Sequence, residues 1–432
     1  MKRLLLTCLA VLLLISACVQ TIPQPDQDTN LPTEETTMQT GKVAYAPNPD
    51  YTPEEITSLA EANNRFAFDL YQQLNDDQGN LLYSPYSLFQ ALTMVYAGAR
   101  GDTAEQFEQT LHYPLTADEI HRVNNALNIA LSSKTNTSAQ DDGAFTLEIA
   151  NALWAQRDAH IEQAYLDLLS EYYADGMHTL DFSQSQQAAD LINSWAQENT
   201  NDKIKEIATP NMFNVNTRLA LTNAVYFKGA WLFPFKQDKT VKADFTLLTG
   251  ENVEVDMMMT TENFFALKND QVQMVELGYY NSPIVMDLIA PVEGSWQAFS
   301  QTLTLGLIED YLEQLSKNKV NLSLPKFKIE TPNMDMIDPM TNLGLVDVFG
   351  MNADLSGMTG DKSLLISTLV QKAFIDVNEA GTEAAAVTIA VAAEKGMISP
   401  DPLTIIFDKP FLFLIRDTNT GAIVFIGQFM QP

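Results

Sequence analysis

The side chains that most often carry out catalysis or bind metals are sparse in this sequence. Its four histidines, His112, His121, His160 and His178, fall in no spacing that would bind a metal. The chain has no glycine-rich phosphate loop, no His-Glu-x-x-His motif and no Gly-x-Ser-x-Gly elbow. A serine–histidine–aspartate triad can assemble from distant positions, so that alternative stays open. The residues therefore predict no metal and no cofactor, and nothing in them calls for an enzyme.

Residues 379–395 indicate a different kind of event, a change in backbone pairing. Taken with a period of two, one set of side chains is small and uncharged throughout: Thr382, Ala384, Ala386, Thr388, Ala390 and Ala392. Such a set suits a strand packed on a core. Gly381 at the head and Lys395-Gly396 at the tail are instead typical of an exposed loop with a hinge. The segment thus predicts a switch between loop and buried strand, although its alanines also fit a plain buried helix or strand.

The charge balance limits the partners. The chain has 432 residues with 55 acidic and 25 basic side chains, for a net charge of −30. Binding to nucleic acid or to an anionic polysaccharide needs clustered lysine and arginine, and the sequence has no such cluster. We therefore expect no nucleic-acid partner. Length alone favours two or three domains.

The N-terminus has the pattern of a targeting segment. A basic pair, Lys2-Arg3, precedes an apolar stretch, residues 4–14, that is too short to span a bilayer comfortably. Residues 15–18 resemble the lipobox of bacterial lipoproteins, in which the cysteine, here Cys18, becomes acylated. Residues 1–18 are thus predicted to be a signal peptide with a lipobox, and the mature protein to be exported and anchored at the cell surface through Cys18. The alternative is plain secretion with cleavage near Ala17.

The mature chain is predicted to have no disulfide, because Cys8 and Cys18 both lie in the targeting segment. Residues 19–52 are rich in proline, threonine and glutamine and have no hydrophobic period. They predict a flexible tether that ends where a helical pattern begins at Pro53.

The remaining chain mixes helical and strand patterns without strict alternation, which favours an α+β fold. Helices are predicted at 53–74, 86–97, 103–110, 117–131, 162–174, 185–199 and 296–315. Strands are predicted at 145–154, 219–227, 284–289, 320–328 and 365–377, with a hairpin formed by 403–415 and 422–429.

Several motifs, in order from about residue 53 to residue 432, resemble those of the serpin family. They are NLLYSPYS at 80–87, GARGDT at 98–103, NALW at 151–154, LTNAVYFKGAW at 221–231, LPKFK at 324–328, ADLSGM at 353–358 and IIFDKPFLFLI at 405–415. The resemblance implies one domain over 53–432 with three β-sheets, eight or nine helices and an exposed reactive-centre loop at about 379–402. It overrides the domain count suggested by length.

The resemblance also implies a function, suicide inhibition of a serine protease. In that mechanism the protease attacks the loop, forms an acyl-enzyme, and is dragged away as the cleaved loop inserts into the large sheet. The hinge of the loop would be Glu379, Gly381, Thr382, Glu383, Ala384, Ala385 and Ala386, which are free of the proline and bulky residues of many non-inhibitory relatives. A non-inhibitory serpin that acts as a binding or scaffold module at the cell surface is the alternative.

Two further sets of residues follow from the resemblance. Ser84, Ser87 and Asn223 correspond to the polar shutter beneath the sheet, and Gln371 stands where the family commonly has histidine. Ordinary satisfaction of buried polar groups would explain the same residues. The usual hinge spacing places the reactive bond between Lys395 and Gly396, which predicts a trypsin-like target. Glu394 or Met397 would instead indicate a glutamate-directed or a chymotrypsin- or elastase-like protease. The protein is expected to be a monomer whose only link to a membrane is its lipid anchor.

Overall fold

The computed structural model describes residues 36–76, 79–132, 146–382 and 401–432. Within these ranges the α-helices are α1 (Pro53–Leu74), α2 (Pro85–Tyr96), α3 (Gly101–Thr110), α4 (Ala117–Ser132), α5 (Gln163–Tyr173), α6 (Ser185–Glu198), α7 (Trp296–Ser300), α8 (Leu305–Glu313), α9 (Ile337–Asn342) and α10 (Ser356–Thr359). The strands are β1 (Thr37–Gln39), β2 (Leu81–Tyr83), β3 (Thr146–Gln156), β4 (Met177–Leu180), β5 (Leu219–Ala230), β6 (Val241–Thr246), β7 (Asn252–Lys268), β8 (Val272–Gly278), β9 (Ile284–Pro291), β10 (Ser316–Pro325), β11 (Phe327–Glu330), β12 (Met334–Asp335), β13 (Ile366–Val377), β14 (Gly381–Thr382), β15 (Leu403–Ile406), β16 (Phe411–Asp417) and β17 (Ile423–Phe429). Helices and strands do not alternate strictly, which confirms the predicted α+β class.

Eight strands form sheet 1, in the order β1-β4-β3-β5-β14-β13-β11, with β12 also paired to β13. Every residue of the central strand β5 is buried except Lys228. A continuous run of buried residues is typical of a strand that is covered on both faces. Most of β5 pairs directly with β13 in parallel register, and the two-residue β14 lies between them at one end.

Nine strands form sheet 2, in the order β15-β10-β7-β8-β9-β16-β17-β2, with β6 also paired to β7. The 17-residue β7 pairs with β6 over residues 252–257, with β10 over residues 257–266 and with β8 over residues 265–268. Three sheets were predicted, but the described residues form two. The reason is that β7 pairs with several strands and so connects their ladders into one sheet.

Local sequence explains where the first helices begin. The Thr52 hydroxyl accepts the Glu55 N–H at 3.2 Å, the Glu55 carboxylate accepts the Thr52 N–H at 2.7 Å, and Pro53 occupies the first turn of α1. At the start of α2 the Ser84 hydroxyl accepts the Ser87 N–H. All residues of α2 are buried, so this helix lies in the core, where it contacts β3, β5 and β17.

Sheet 1 is covered on both faces. On one face, the main hydrophobic core includes Phe66 of α1, Phe89 of α2 and Phe227 of β5. A second core includes Trp154 of β3 and Ile192 of α6. Within the described ranges, no helix combines the length and the apolar composition needed to cross a membrane.

One helix predicted over residues 296–315 is two helices, α7 and α8. The side chains of Ser295 and Thr304 each accept a backbone N–H three residues later, so each starts a helix of its own.

Two predicted strands are also divided. The strand predicted at 320–328 consists of β10 in sheet 2 and β11 in sheet 1, and 403–415 consists of β15 and β16. Pro325 ends β10 and Pro410 precedes β16. Since proline has no N–H to donate to a ladder, both breaks fall at positions that the sequence marks.

The described part of the predicted tether, residues 36–52, is attached to the domain. We call these residues the strap. Within the strap, β1 pairs antiparallel with β4 at the edge of sheet 1, the Gly41 N–H donates to the Ser170 hydroxyl at 2.7 Å, and the Tyr45 hydroxyl donates to Asn125 at 2.9 Å. For these residues the prediction of a free tether is wrong, because polar composition alone does not reveal side chains and backbone groups that find partners on α4, α5 and β4.

Candidate functional site

The candidate site lies in sheet 1, where the predicted hinge meets the central strands. β13 ends at Val377 and a tight turn leads into β14: Asn378 and Gly381 exchange backbone hydrogen bonds of 2.9 and 3.3 Å. Gly381 has a φ of 154°, a backbone conformation that favours glycine. Gly381 pairs with Ala230 of β5, and Thr382 pairs with Gly229 of β5 and Val377 of β13.

The turn is held by backbone bonds to the chain that follows β5. The Trp231 N–H donates to the Ala380 carbonyl at 3.0 Å, and the Phe235 N–H donates to the Glu379 carbonyl at 2.9 Å. The indole N–H of Trp231 also donates to the Asn378 carbonyl at 3.0 Å. These bonds fix the point from which any longer strand between β5 and β13 would start.

The side chain of Glu379 connects the turn to sheet 2. One carboxylate oxygen accepts the Thr240 hydroxyl at 2.8 Å, and the other lies 3.0 Å from Lys326 Nζ. Burial disfavours the charged carboxylate, but the bonds from Thr240 and Lys326 outweigh burial and lower the pKa of Glu379 below its usual value. The carboxylate is therefore a charged acceptor that ties the turn to the junction of β10 and β11.

Thr382 is fully buried beneath this end of sheet 1. Its hydroxyl lies 2.7 Å from the Tyr279 hydroxyl, and the Tyr279 ring stacks on Trp231 with 4.7 Å between ring centroids. Tyr279 is also buried, and burial raises the pKa of its phenol, which stays neutral. The small Thr382 side chain thus lies against the aromatic side chain of Tyr279, and the two buried hydroxyls satisfy each other as hydrogen-bond partners.

The prediction that the exposed loop begins at residue 379 is therefore wrong for its first residues. Glu379, Gly381 and Thr382 are buried, because the turn and β14 form part of sheet 1 in the intact chain. The other predicted hinge residues, Glu383, Ala384, Ala385 and Ala386, lie outside the described residues. So do the predicted reactive bond, Lys395-Gly396, and the predicted lipidation site, Cys18.

The predicted shutter residues lie together near the middle of sheet 1. Gln371 of β13 and Asn223 of β5 are directly opposite each other in the ladder, and the Gln371 amide donates to the Asn223 carbonyl oxygen at 2.5 Å. The same amide group donates to the Ser84 carbonyl at 3.0 Å and accepts the Ser84 N–H at 2.9 Å. Gln371 therefore binds both β5 and the start of α2.

Asn151 of β3 completes this network, and the sequence reasoning missed it. Asn151 is opposite Asn223 in the ladder. The side-chain carbonyl oxygen of Asn151 accepts the Ser87 hydroxyl at 3.0 Å and also accepts the side-chain amide of Asn223. The Asn223 amide donates to the Ser87 hydroxyl at 2.5 Å as well. A polar residue inside the apolar NALW motif was the signal that could have identified it. We call Asn151, Asn223 and Gln371, with Ser84 and Ser87, the polar row.

The polar row is uncharged and lies across three strands, so it can hold β5 against β13 without the cost of burying an ion. Among the described residues, histidine, cysteine and acidic side chains form no group that could hold a metal ion.

Comparisons with known proteins agree on one family. The model of the family described as Serpin (serine protease inhibitor) matches residues 61–432. The chain is 36% identical to an uncharacterized serpin-like protein of Methanosarcina acetivorans over 88% of its length and 87% of that protein. It is also 36% identical to the leukocyte elastase inhibitor of Bos taurus, over 87% of this chain and all of that protein. Among solved structures, the thermophilic serpin tengpin in its native state is similar, with a TM-score of 0.81 and 25% identity over 92% of this chain and all of that one.

Proposed function

Because this chain belongs to the serpin family, we propose that it inhibits trypsin-like serine endopeptidases by trapping them as covalent complexes. The observation that carries the proposal is the position of β14. Gly381 and Thr382 already lie between β5 and β13 at one end of sheet 1, while the rest of these two strands still pair with each other. The chain after Thr382 would enter sheet 1 by extending β14.

Trapping begins with attack on the loop. The protease serine forms an ester with the carbonyl carbon of Lys395, and the amino group of Gly396 leaves. The chain from Thr382 to Lys395 is then free at its new end. As it extends between β5 and β13 it replaces their direct parallel pairing with two antiparallel ladders, and the attached protease is carried along before water can hydrolyse the ester.

The energy of this step comes from new backbone bonds. About ten added ladder bonds at about 1 kcal/mol each amount to about 10 kcal/mol, as large as the free energy of unfolding of many domains. This magnitude is general to strand addition by serpin loops and is not specific to this chain. The intact form would be metastable and would persist because opening sheet 1 is slow.

The polar row supports this proposal, because it lies where β5 and β13 must separate. Its hydrogen bond between Gln371 and Asn223 would have to break as the inserted strand passes. A buried network is costly to leave half satisfied, so the row would act as a barrier that keeps the intact chain closed.

The target class depends on the reactive bond. A lysine before that bond fits a protease whose specificity pocket has a carboxylate at its base. The test is incubation with trypsin, followed by denaturing electrophoresis and mass spectrometry of the released C-terminal peptide. We expect a band at the summed mass of the two proteins less the released peptide, residues 396–432, and a peptide that begins at Gly396. Lys395→Ala should abolish the band, whereas Glu394→Ala and Met397→Ala are matched controls that should retain it.

Complete cleavage at residue 395 without a stable complex would refute inhibition by trapping and would favour the non-inhibitory alternative. A released peptide that does not begin at Gly396, or a trypsin complex that persists in Lys395→Ala, would refute the assignment of the reactive bond to Lys395-Gly396. A complex with a glutamate-directed or a chymotrypsin-like protease, lost in Glu394→Ala or Met397→Ala respectively, would instead change the target class.

We also propose that the protein is exported and held at the cell surface as a monomer by a lipid on Cys18. The support is the sequence pattern of residues 1–18. Expression with a radiolabelled fatty acid in a bacterial host tests it: the chain should take up label, and Cys18→Ala should take up none. Equal labelling of the two chains would contradict the assignment of Cys18.

A further inference from the structure

One end of sheet 2 carries lysines and a half-exposed aromatic ring. Phe265 of β7 is 49% exposed and lies opposite Lys317 of β10, and Lys319 lies opposite Asn263 two residues along. Residues that pair across a ladder share a face of the sheet, so Phe265, Lys317 and Lys319 all lie on the outer face. Lys268, at the end of β7, lines the same cavity as Lys319. We call Phe265, Lys268, Lys317 and Lys319 the lysine cluster.

The charge of the lysine cluster contrasts with the rest of the molecule. Within the described residues, Lys268, Lys317 and Lys319 have no carboxylate at ion-pair distance. The same is true of single lysines elsewhere, such as Lys205 and Lys328, but here three such lysines lie together. Lys268 instead donates to the Thr404 carbonyl at 2.6 Å. The whole chain has a net charge of −30. An acidic partner would therefore be repelled by most of the surface and attracted here.

The lysine cluster lies where the chain returns to the described structure. A cavity of about 390 Å³ is lined by Lys268 and Lys319 on one side and by residues of the incoming chain, including Asp401 and Thr404, on the other. That chain continues into β15, which pairs with β10 from Leu403 opposite Val320 onward.

The proposed reactive bond is close to this face along the chain. Asp401 is the fifth residue after Gly396, and an extended chain covers about 3.3–3.6 Å per residue, so the two lie within about 18 Å. A protease domain of about 230 residues has a radius of gyration of about 17 Å. A protease that holds the Lys395-Gly396 bond therefore reaches the surface around Asp401.

We propose that the lysine cluster is a docking surface for the target protease, and that this protease carries an acidic surface beside its substrate groove with an apolar spot for Phe265. The inference rests on the proposed function and adds the surface chemistry of the partner. Lysines that are not neutralised by a carboxylate speed the encounter with an acidic surface, and a half-exposed ring supplies contact area once the two proteins touch.

The test uses two natural forms of trypsin, anionic and cationic, which cleave the same bonds but differ in surface charge. The second-order rate constant of covalent complex formation is measured with each form at low and high salt. We expect faster trapping of anionic trypsin, and a loss of this preference with added salt. In Lys317→Glu/Lys319→Glu the rate with anionic trypsin should fall about ten-fold. Lys203→Glu/Lys205→Glu, which makes the same charge change after α6, is the matched control and should change it little.

Equal effects of the two double variants would overturn the docking proposal, because the rate would then depend only on net charge. So would an unchanged rate in Lys317→Glu/Lys319→Glu. If neither trypsin forms a complex with the parent chain, the proposed function itself fails. That outcome is distinct from failure of the docking proposal, in which complexes form but their rates do not depend on the lysine cluster.

Phe265 is tested without the covalent step. A trypsin whose catalytic serine is replaced by alanine binds reversibly, and Phe265→Ala should weaken that binding about ten-fold. Met351→Ala, which removes a side chain that is 94% exposed, is the matched control. Thermal unfolding of both variants checks that they are folded, and equal affinities for inactive trypsin would remove Phe265 from the docking surface.

Discussion

Replacing Gln371 by leucine is the sharpest test of the polar row. Leucine is close to glutamine in size but cannot bond to Ser84 or Asn223. In the closed sheet this leaves the Ser84 N–H and the side-chain carbonyl oxygen of Asn223 without the partners they have at 2.9 and 2.5 Å. The Ser84 carbonyl loses its 3.0 Å bond but still accepts the Leu88 N–H at 3.2 Å. Leaving buried polar groups unpaired costs about 1–3 kcal/mol each, and partial relaxation brings the expected total to about 3 kcal/mol.

This cost falls on the closed form and not on the opening transition state, in which β5 and β13 have already separated. The barrier to opening should therefore drop by nearly the same amount, and opening should be about a hundred-fold faster. The assay follows the intact chain during mild heating and measures how quickly it loses the capacity to trap trypsin. Gln371→His should restore slow conversion, because imidazole can both donate and accept a hydrogen bond.

The matched control is Gln428→Leu. Gln428 is also buried, accepts the Tyr71 hydroxyl at 2.9 Å and donates to the Gly79 carbonyl at 3.0 Å, but it lies on β17 in sheet 2. The Gln428→Leu variant should have a lower free energy of unfolding, but it should not lose its capacity to trap trypsin any faster during mild heating. If Gln371→Leu and Gln428→Leu convert at the same rate, the polar row does not control the opening of sheet 1.

Three further predictions concern the hinge and one buried histidine. Thr382→Arg places a guanidinium against Tyr279 where the parent side chain is fully buried, at a cost of about 3 kcal/mol or more, and should give cleaved chain in place of a covalent complex with trypsin on a denaturing gel. Glu379→Ala removes the acceptor of Thr240 and Lys326 and should lower the unfolding free energy by about 1–2 kcal/mol in urea titrations. Burial lowers the pKa of His121 from 6.5 to about 4, so the unfolded chain binds the extra proton first and stability falls as pH drops through this range. In His121→Gln the loss of stability between pH 7 and pH 5 should be smaller by about 2 kcal/mol, measured by urea unfolding at each pH.

Each of these has a clear contrary result. Parental stoichiometry of trapping in Thr382→Arg would mean that the buried position of Thr382 is not needed for insertion. An unchanged urea midpoint in Glu379→Ala would leave the bonds to Thr240 and Lys326 without energetic weight. An unchanged pH profile in His121→Gln would mean that the pKa of His121 is the same in the folded and the unfolded chain.

The sequence predicted best those elements whose pattern is local. The central strand β5 is mostly apolar, and α1 begins at a threonine, a proline and a glutamate in capping positions, so both were found near their observed bounds. The stretch from Val241 to Gly278, which forms β6, β7 and β8, was not predicted. Exposed and buried residues do not alternate cleanly along β7, which pairs in turn with β6, β10 and β8.

The site divides in the same way. The motifs placed Ser84, Ser87, Asn223 and Gln371 in a common region by resemblance, but only the ladder register shows that Asn151, Asn223 and Gln371 form one row across three strands. Sequence could not predict that Gly381 and Thr382 are already within sheet 1, because that depends on long-range contacts with Trp231 and Tyr279.

The position of β14 between β5 and β13 would affect both the rate at which a longer strand inserts and the register in which it pairs. A strand that extends β14 starts from ladder pairs that are already formed, so it does not have to find its first pairing or close a new loop. Its alignment is also decided in advance, since a slip by one residue would send the opposite set of side chains towards the core. The intact molecule would thus already determine the register in which the cleaved loop pairs with β5 and β13.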